Sequence, residues 1–308
     1  MIKSICSYLF SLLFILFIIT VSTAAQNDAS TNSGTNSHKN IAQGENTGSY
    51  WPTNGWKTCS PEAVGMASQK LQEAFDYAAV PDFNTKGLVV IKDGYIVAEA
   101  YFGSFHRDSK HTSYSMAKSF TSALIGIAID QKRISDIDAK LCTYYKKWDC
   151  SNKDDLRNRI TIRHALTLTS GLKWHEDWSK WDPETNDALK MGSSGYFVKY
   201  MANRLGLYEP GQQFIYSTGD PMLLSLVIKK ATGMSAFEYA RKNIFDLLNI
   251  KSVKWEKDRD GYTSTSWGLH TTVRDFAKFG YLYLNKGRWE DRQIVSKQWV
   301  EKSTKTDP

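Results

Sequence analysis

The chain has 308 residues, 42% of them hydrophobic, which is enough for a sizeable core in one large domain or two small ones. Its 39 basic and 32 acidic residues leave a formal charge of +7, and the positive charges are dispersed, with no basic run interleaved with aromatics to form a nucleic-acid groove. The six histidines, at 38, 106, 111, 164, 175 and 270, make no His-x-x-x-His pair and the cysteines have no metal-type spacing, so neither a zinc site nor any other cofactor is expected.

Met1-Ile2-Lys3, the apolar run from Tyr8 to Ile19 and the small residues Ser22-Thr23-Ala24-Ala25 read as the charged region, apolar region and cleavage zone of a signal peptide spanning 1–25. The apolar run falls short of the ~20 residues a spanning helix needs, so no stable membrane insertion is expected after cleavage. The expected location is exported, periplasmic or extracellular. Loss of Lys3 takes the 39 basic residues to 38 against 32 acidic ones, a balance of +6. Residues 26–50 are almost entirely Asn, Ser, Thr, Gly, Gln, Ala and Lys, without an apolar cluster to offset ordering entropy, and read as a disordered linker.

Folded sequence begins near Trp51. From Pro61 to Ala79 the apolar residues Val64, Leu71, Ala74, Phe75 and Ala78 recur at helical spacing. Gly87 to Ile91 and Tyr95 to Tyr101, joined through Asp93-Gly94, predict a β-hairpin.

Ser115-Met116-Ala117-Lys118 then opens the apolar run Phe120 to Ile129. On a helix, residues three apart share one face a turn apart, within hydrogen-bonding reach of a hydroxyl and an amine. A serine becomes a nucleophile once a base takes its proton, and a lysine can serve if burial and positive potential depress its pKa. A helix N-terminus supplies such potential. Ser115 and Lys118 are therefore the candidate nucleophile and base. Chance alone yields roughly one or two Ser-x-x-Lys strings in a chain this long, and Ser170-Gly171-Leu172-Lys173 is a second. There Gly171 marks a turn, and Ser170 is read as a structural turn residue.

With the signal removed, three cysteines remain, so one must stay unpaired within the chain. The simplest arrangement bridges Cys142 to Cys150 across a short polar, aromatic loop and leaves Cys59 as a buried or free thiol. The stretch from about 134 to 255 is rich in helical patterns and turn punctuation and predicts a helical subdomain. Thr272 to Leu284 resumes a long amphipathic helix.

Taken in order, Ser115 to Lys118, Thr169-Ser170-Gly171-Leu172, Glu209 to Ser217, Ala231-Thr232-Gly233-Met234-Ser235 and Gly268 to Asp275 resemble the serine β-lactamase and penicillin-binding superfamily. Within it they resemble the class C-like esterase branch that includes 6-aminohexanoate-dimer hydrolases. The resemblance runs from about Trp51 to Trp299. It implies a mixed α/β (α+β) fold of the β-lactamase/transpeptidase type across residues 51–308, an antiparallel sheet flanked by helices with an inserted helical subdomain. It also implies an acyl-enzyme mechanism on a small-molecule ester or linear amide. Tyr216 falls at the family's second catalytic position, where a phenol coupled to an ammonium relays protons.

Where lactam-hydrolysing relatives carry Tyr-x-Asn, this chain has Tyr216-Ser217-Thr218, which weighs against antibiotic hydrolysis. The loop with Trp174, Glu176 and Trp178 follows the Ser170-Gly171 turn and borders the cleft in these relatives. Its aromatic and acidic character would suit an apolar chain ending in an amine, or its tryptophans pack the subdomain while the acids face solvent. The family's third motif lies on a strand C-terminal to the Gly268-to-Leu284 segment and brings an oxyanion-hole N–H with it. The sequence stops at Pro308 before that strand, as expected of a fragment of a longer protein, or of a product that has lost catalysis. A chain so shortened is expected to carry an exposed sheet edge and an uncovered apolar face, to be poorly soluble, and to be at least about a hundredfold less active than an extended version. The alternatives to a serine hydrolase of this branch are a penicillin-binding D-Ala-D-Ala carboxypeptidase or β-lactamase, and a non-catalytic binding protein of the same fold.

Overall fold

A computed structural model describes residues 50–179 and 181–305. The expected signal peptide and nearly all of the expected linker lie outside the described residues. Among the described residues no helix is long and apolar enough to cross a membrane.

Pro61–Val64 forms one 3-10 turn that ends on Gly65 at φ 71°, and helix α1 covers Ser68–Ala78. The single helix expected from Pro61 to Ala79 is therefore broken, because the left-handed turn at Gly65 redirects the chain before the apolar stripe begins. None of the α1 residues is buried. Leu71 and Phe75 instead line an open cleft of about 440 Å³, with Ala98, Ala100 and Phe102 on the opposite wall.

The hairpin forms as read: β1 (Gly87–Lys92) pairs antiparallel with β2 (Tyr95–Tyr101), and Asp93 and Gly94 both adopt positive φ, as a tight primed turn requires. Strand β3 (Lys110–Thr112) leads through a 3-10 turn at Tyr114–Met116 into α2 (Ala117–Asp130).

Between α2 and the next strand lie α3 (Ile162–Leu166), α4 (Asp187–Ser194), α5 (Phe197–Ala202), α6 (Asp220–Thr232) and α7 (Ala236–Ala240), the last running into a π-helical turn at Arg241–Phe245. Strands β4 (Lys254–Trp255) and β5 (Leu269–Thr272) follow. The sheet order is β3-β5-β4, all antiparallel, which brings the approach to Ser115 beside a strand much later in the chain, Thr112 facing His270. Thr272 caps α8 (Val273–Leu284) by accepting from the Asp275 N–H, a small hairpin joins β6 (Arg288–Trp289) to β7 (Arg292–Gln293), and α9 (Lys297–Thr304) comes last. The expected cysteine pairing is present: Cys142 is bonded to Cys150 and Cys59 is free.

Helix α2 is the axis of the main core. Nine of its residues, from Ala117 to Ala128, are buried, so it presents apolar side chains to neighbours all round and not along one stripe. Phe120 stacks on Phe279 of α8 with ring centroids 3.7 Å apart. Gly126 lets Trp299 of α9 lie against the backbone, since a Cβ at that position would fall 2.4 Å from the indole. A smaller cluster of Val89, Ile91 and Ile96 packs beneath Val273 and Ala277 of α8.

Candidate active site

Ser115 sits on the tight turn between β3 and α2 and not in the first α-helical turn. Three bonds shape that turn: the Ser113 N–H donates to the Leu269 carbonyl (2.7 Å), the Met116 N–H to the Ser113 carbonyl (3.1 Å), and the Ser113 hydroxyl to the Tyr114 carbonyl (3.0 Å). Tyr114 is held at φ 43°, a left-handed conformation that costs a non-glycine residue free energy. The turn delivers Ser115 directly above Lys118, whose Nζ donates to Ser115 Oγ at 3.0 Å.

The third group arrives from 101 residues away. Tyr216 Oη lies 2.6 Å from Ser115 Oγ, and Lys118 Nζ donates to it at 3.4 Å as well as to the Ser266 carbonyl at 3.4 Å. The three residues named from the sequence thus converge in one hydrogen-bonded triangle. Withdrawal from water pushes Lys118 down to about 8, with the Glu176 carboxylate pulling the other way. The Tyr216 phenol is raised by the same withdrawal and by the Glu176 charge, against the lowering effect of its bond to Ser115.

Two backbone hydrogen bonds anchor the Tyr216 loop. The Ile215 N–H donates to the Leu168 carbonyl, and the Gly211 N–H to that of Thr169, so the loop runs alongside the Ser170 turn. Asp220, at the start of α6, then ties turn and loop together. Its carboxylate accepts from the Ser170 hydroxyl (2.8 Å), the Ser170 N–H (3.4 Å) and the Ser217 hydroxyl (3.2 Å). The second Ser-x-x-Lys string is accounted for by this turn: Ser170 is buried with its hydroxyl on Asp220, Lys173 is exposed, and Gly171 adopts φ 73° where a Cβ would meet the Tyr208 carbonyl at 2.2 Å.

Full burial pushes the Asp220 carboxyl up to about 6 despite those three bonds. A folded value above the unfolded one of 3.8 means that this group favours the fold most below about pH 4, and that the benefit is lost as pH rises through about 6. We expect urea unfolding to show Asp220→Asn gaining on the wild type between pH 4.5 and pH 7.5, by up to roughly 3 kcal/mol. A difference between the two that does not change with pH would contradict this account.

The aromatic loop is turned largely inward. Glu176 Oε2 accepts from Trp174 Nε1 (2.9 Å) and the Thr218 N–H (2.7 Å), while Oε1 accepts from Trp178 Nε1 (2.8 Å) and the Thr218 hydroxyl (2.5 Å). Trp174 is buried, Trp178 partly so, and the neighbouring Trp181 is 76% exposed. The segment Thr263-Ser264-Thr265-Ser266 escaped notice in the sequence, although all four residues are buried. Thr121 of α2 donates to the Thr265 carbonyl, Thr265 to that of Pro221 and Ser266 to that of Thr218, so this run of hydroxyls joins α2, α6 and the Tyr216 loop around Lys118. Its only signal was four small polar residues in succession before Trp267-Gly268. Among the described residues no group of His, Cys, Asp and Glu is placed to hold a metal ion.

The fold is of the β-lactamase type. Residues 77–308 match the family model described as Beta-lactamase, and the chain belongs to that family. The 6-aminohexanoate-dimer hydrolase of Paenarthrobacter ureafaciens is 22% identical over 227 residues, a match covering 70% of this chain and 56% of that protein. The chain thus spans little more than half the length of that relative. A solved structure from Bacillus anthracis named for the same hydrolase superposes with a TM-score of 0.64 at 23% identity, over 75% of this chain and 61% of the other. EstCE1, a hydrolase with promiscuous acyltransferase activity, does so at 0.60 and 14% identity, over 75% and 76%.

Proposed function

We propose that the protein is an exported serine hydrolase that cleaves an ester or a linear amide through an acyl-enzyme. The observation that carries this reading is the Ser115–Lys118–Tyr216 triangle, with Oγ, Nζ and Oη within 3.4 Å of one another. In its neutral form Lys118 takes the Ser115 proton as Oγ attacks the carbonyl carbon, and the start of α2 stabilises the developing oxyanion. Collapse of the tetrahedral intermediate breaks the bond to the alcohol or amine, which leaves with a proton relayed from the ammonium through Tyr216. Water then repeats the sequence on the acyl-enzyme, and the proton returns to Ser115.

Thr218 supports an ester or linear amide over a β-lactam, because the hydroxyl standing where a cleft amide would stand is committed to Glu176. Export is supported by the N-terminal charged and apolar regions and by the Cys142–Cys150 disulfide, a bond that persists in oxidising compartments. Incubating the protein separately with p-nitrophenyl butyrate, a fluorescent penicillin and a fluorophosphonate is the test. Ester turnover with phosphonate labelling and no stable penicillin adduct is expected. A penicillin adduct would favour the carboxypeptidase reading, and inertness to all three would favour a binding protein.

A further inference from the structure

Both Glu176 oxygens are filled by the chain itself, by two indole N–H groups, one backbone N–H and one hydroxyl. Four donors and no acceptor meet it, an arrangement suited to an anion, and none of the four carries a charge that would cancel its own. A carboxylate so engaged has no lone pair favourably placed for a substrate amine. Two of its donors belong to Thr218, two residues beyond Tyr216, so the same side chain fixes the loop that presents the phenol. Lys118 on α2, Tyr216 on its own loop and the buried Asp220 at the start of α6 all sense the Glu176 charge, and the hydrogen-bond partners of Lys118 Nζ are the Ser115 hydroxyl, the Tyr216 phenol and the Ser266 carbonyl, all neutral.

We propose that Glu176 is a positioning residue for the Ser115–Lys118–Tyr216 site, clamping the Tyr216 loop through Thr218 and setting a negative charge behind that loop. This assignment rests on the hydrolase reading above for its meaning in catalysis, but its geometry does not. The clamp works through neutral donors. A lysine or arginine in their place would hold the loop equally well but would cancel the charge at Lys118, and indole and hydroxyl donors leave it intact. Trp174 and Trp178 are thereby assigned as the arms that aim Glu176.

Two variants separate clamp from charge. Glu176→Gln keeps the size, removes the charge and puts an amide N–H₂ where an acceptor is required. Thr218→Val removes one clamp bond and keeps the charge. The readout free of turnover is NMR of protein labelled with ¹³C,¹⁵N-lysine, with the Lys118 signal assigned by Lys118→Met, together with hydrogen exchange of residues 215–220. Glu176→Gln should lower the Lys118 midpoint by about one pH unit, move the acid limb of kcat/KM the same way and deprotect the Thr218 amide. Thr218→Val should raise exchange in the loop and lower kcat several-fold while leaving the Lys118 midpoint in place.

An unmoved Lys118 midpoint in Glu176→Gln overturns the electrostatic half of the proposal. Unchanged loop exchange and kcat in Thr218→Val overturn the clamp, and that variant decides the matter if Glu176→Gln does not fold. Should ester hydrolysis survive Ser115→Ala, the hydrolase reading falls while the midpoint and exchange data still judge Glu176.

Discussion

Ser115→Ala should reduce p-nitrophenyl ester hydrolysis to background and abolish labelling by a fluorophosphonate. Among the described residues the Ser115 hydroxyl is the one hydrogen-bonded to Lys118 Nζ at 3.0 Å, with Tyr216 Oη 2.6 Å from it, and no second serine hydroxyl is placed to take its role. Loss of a nucleophile that acts as one unit with its base costs as much as loss of the whole unit, on the order of 10⁶ in kcat for an efficient serine hydrolase. Ser170→Ala is the informative contrast. Its hydroxyl is spent on Asp220, so the labelled serine should persist while the protein loses about 1–3 kcal/mol of stability, because a fully buried carboxylate is left short of a donor. Mass spectrometry of the labelled peptide and urea unfolding read the two effects separately. A phosphonate adduct in Ser115→Ala would remove Ser115 from the mechanism.

Lys118→Met should also be strongly damaging, though less so. Methionine fills the space of the lysine stem but cannot accept a proton, and general-base removal costs about 10²–10⁴ in rate. The wild-type profile carries the signature of the group that is lost. Lys118 must be neutral to act as base, and burial lowers it to about 8, so kcat/KM should rise with pH through a midpoint near 8. In the methionine variant that limb should vanish and the residual rate should follow hydroxide alone. Retention of the limb would assign it to another group, Tyr216 being the first to examine.

How much of this was legible depended on whether the physics was local. Asp93-Gly94 announced its turn because two successive positive φ values are cheap for few residue pairs, and Ser115-to-Lys118 announced its pair because a spacing of three survives the change from 3-10 turn to α-helix. The break at Gly65 was hidden because the apolar spacing of Val64 and Leu71 happens to continue the helical period across it. Tyr216 could be named only through the ordered blocks around it, since nothing within its own loop distinguishes it from the other tyrosines. Glu176 is ambiguous in the sequence between a group for substrate and one for packing, because an acid between two tryptophans looks the same whether the indoles face out or turn their N–H groups onto it. Asp220 and the hydroxyl run at 263–266 bind partners more than 40 residues away, and a sequence window carries no trace of such pairings.

Those long separations govern when reactivity appears. Ser115 meets Tyr216 across 101 residues, and Lys118 meets the Ser266 carbonyl across 148. A chain emerging in order presents the serine and its lysine long before either partner exists, as an ordinary hydroxyl beside a solvated amine. Only closure of the last of these loops withdraws the amine from water, so nucleophilicity is a property of the finished tertiary structure and not of the helix that bears it. The rate at which refolding protein gains phosphonate reactivity should therefore trail the return of helical signal. That lag would serve as a clock for the final docking step and would spare an incompletely folded chain from acylation by whatever esters it meets.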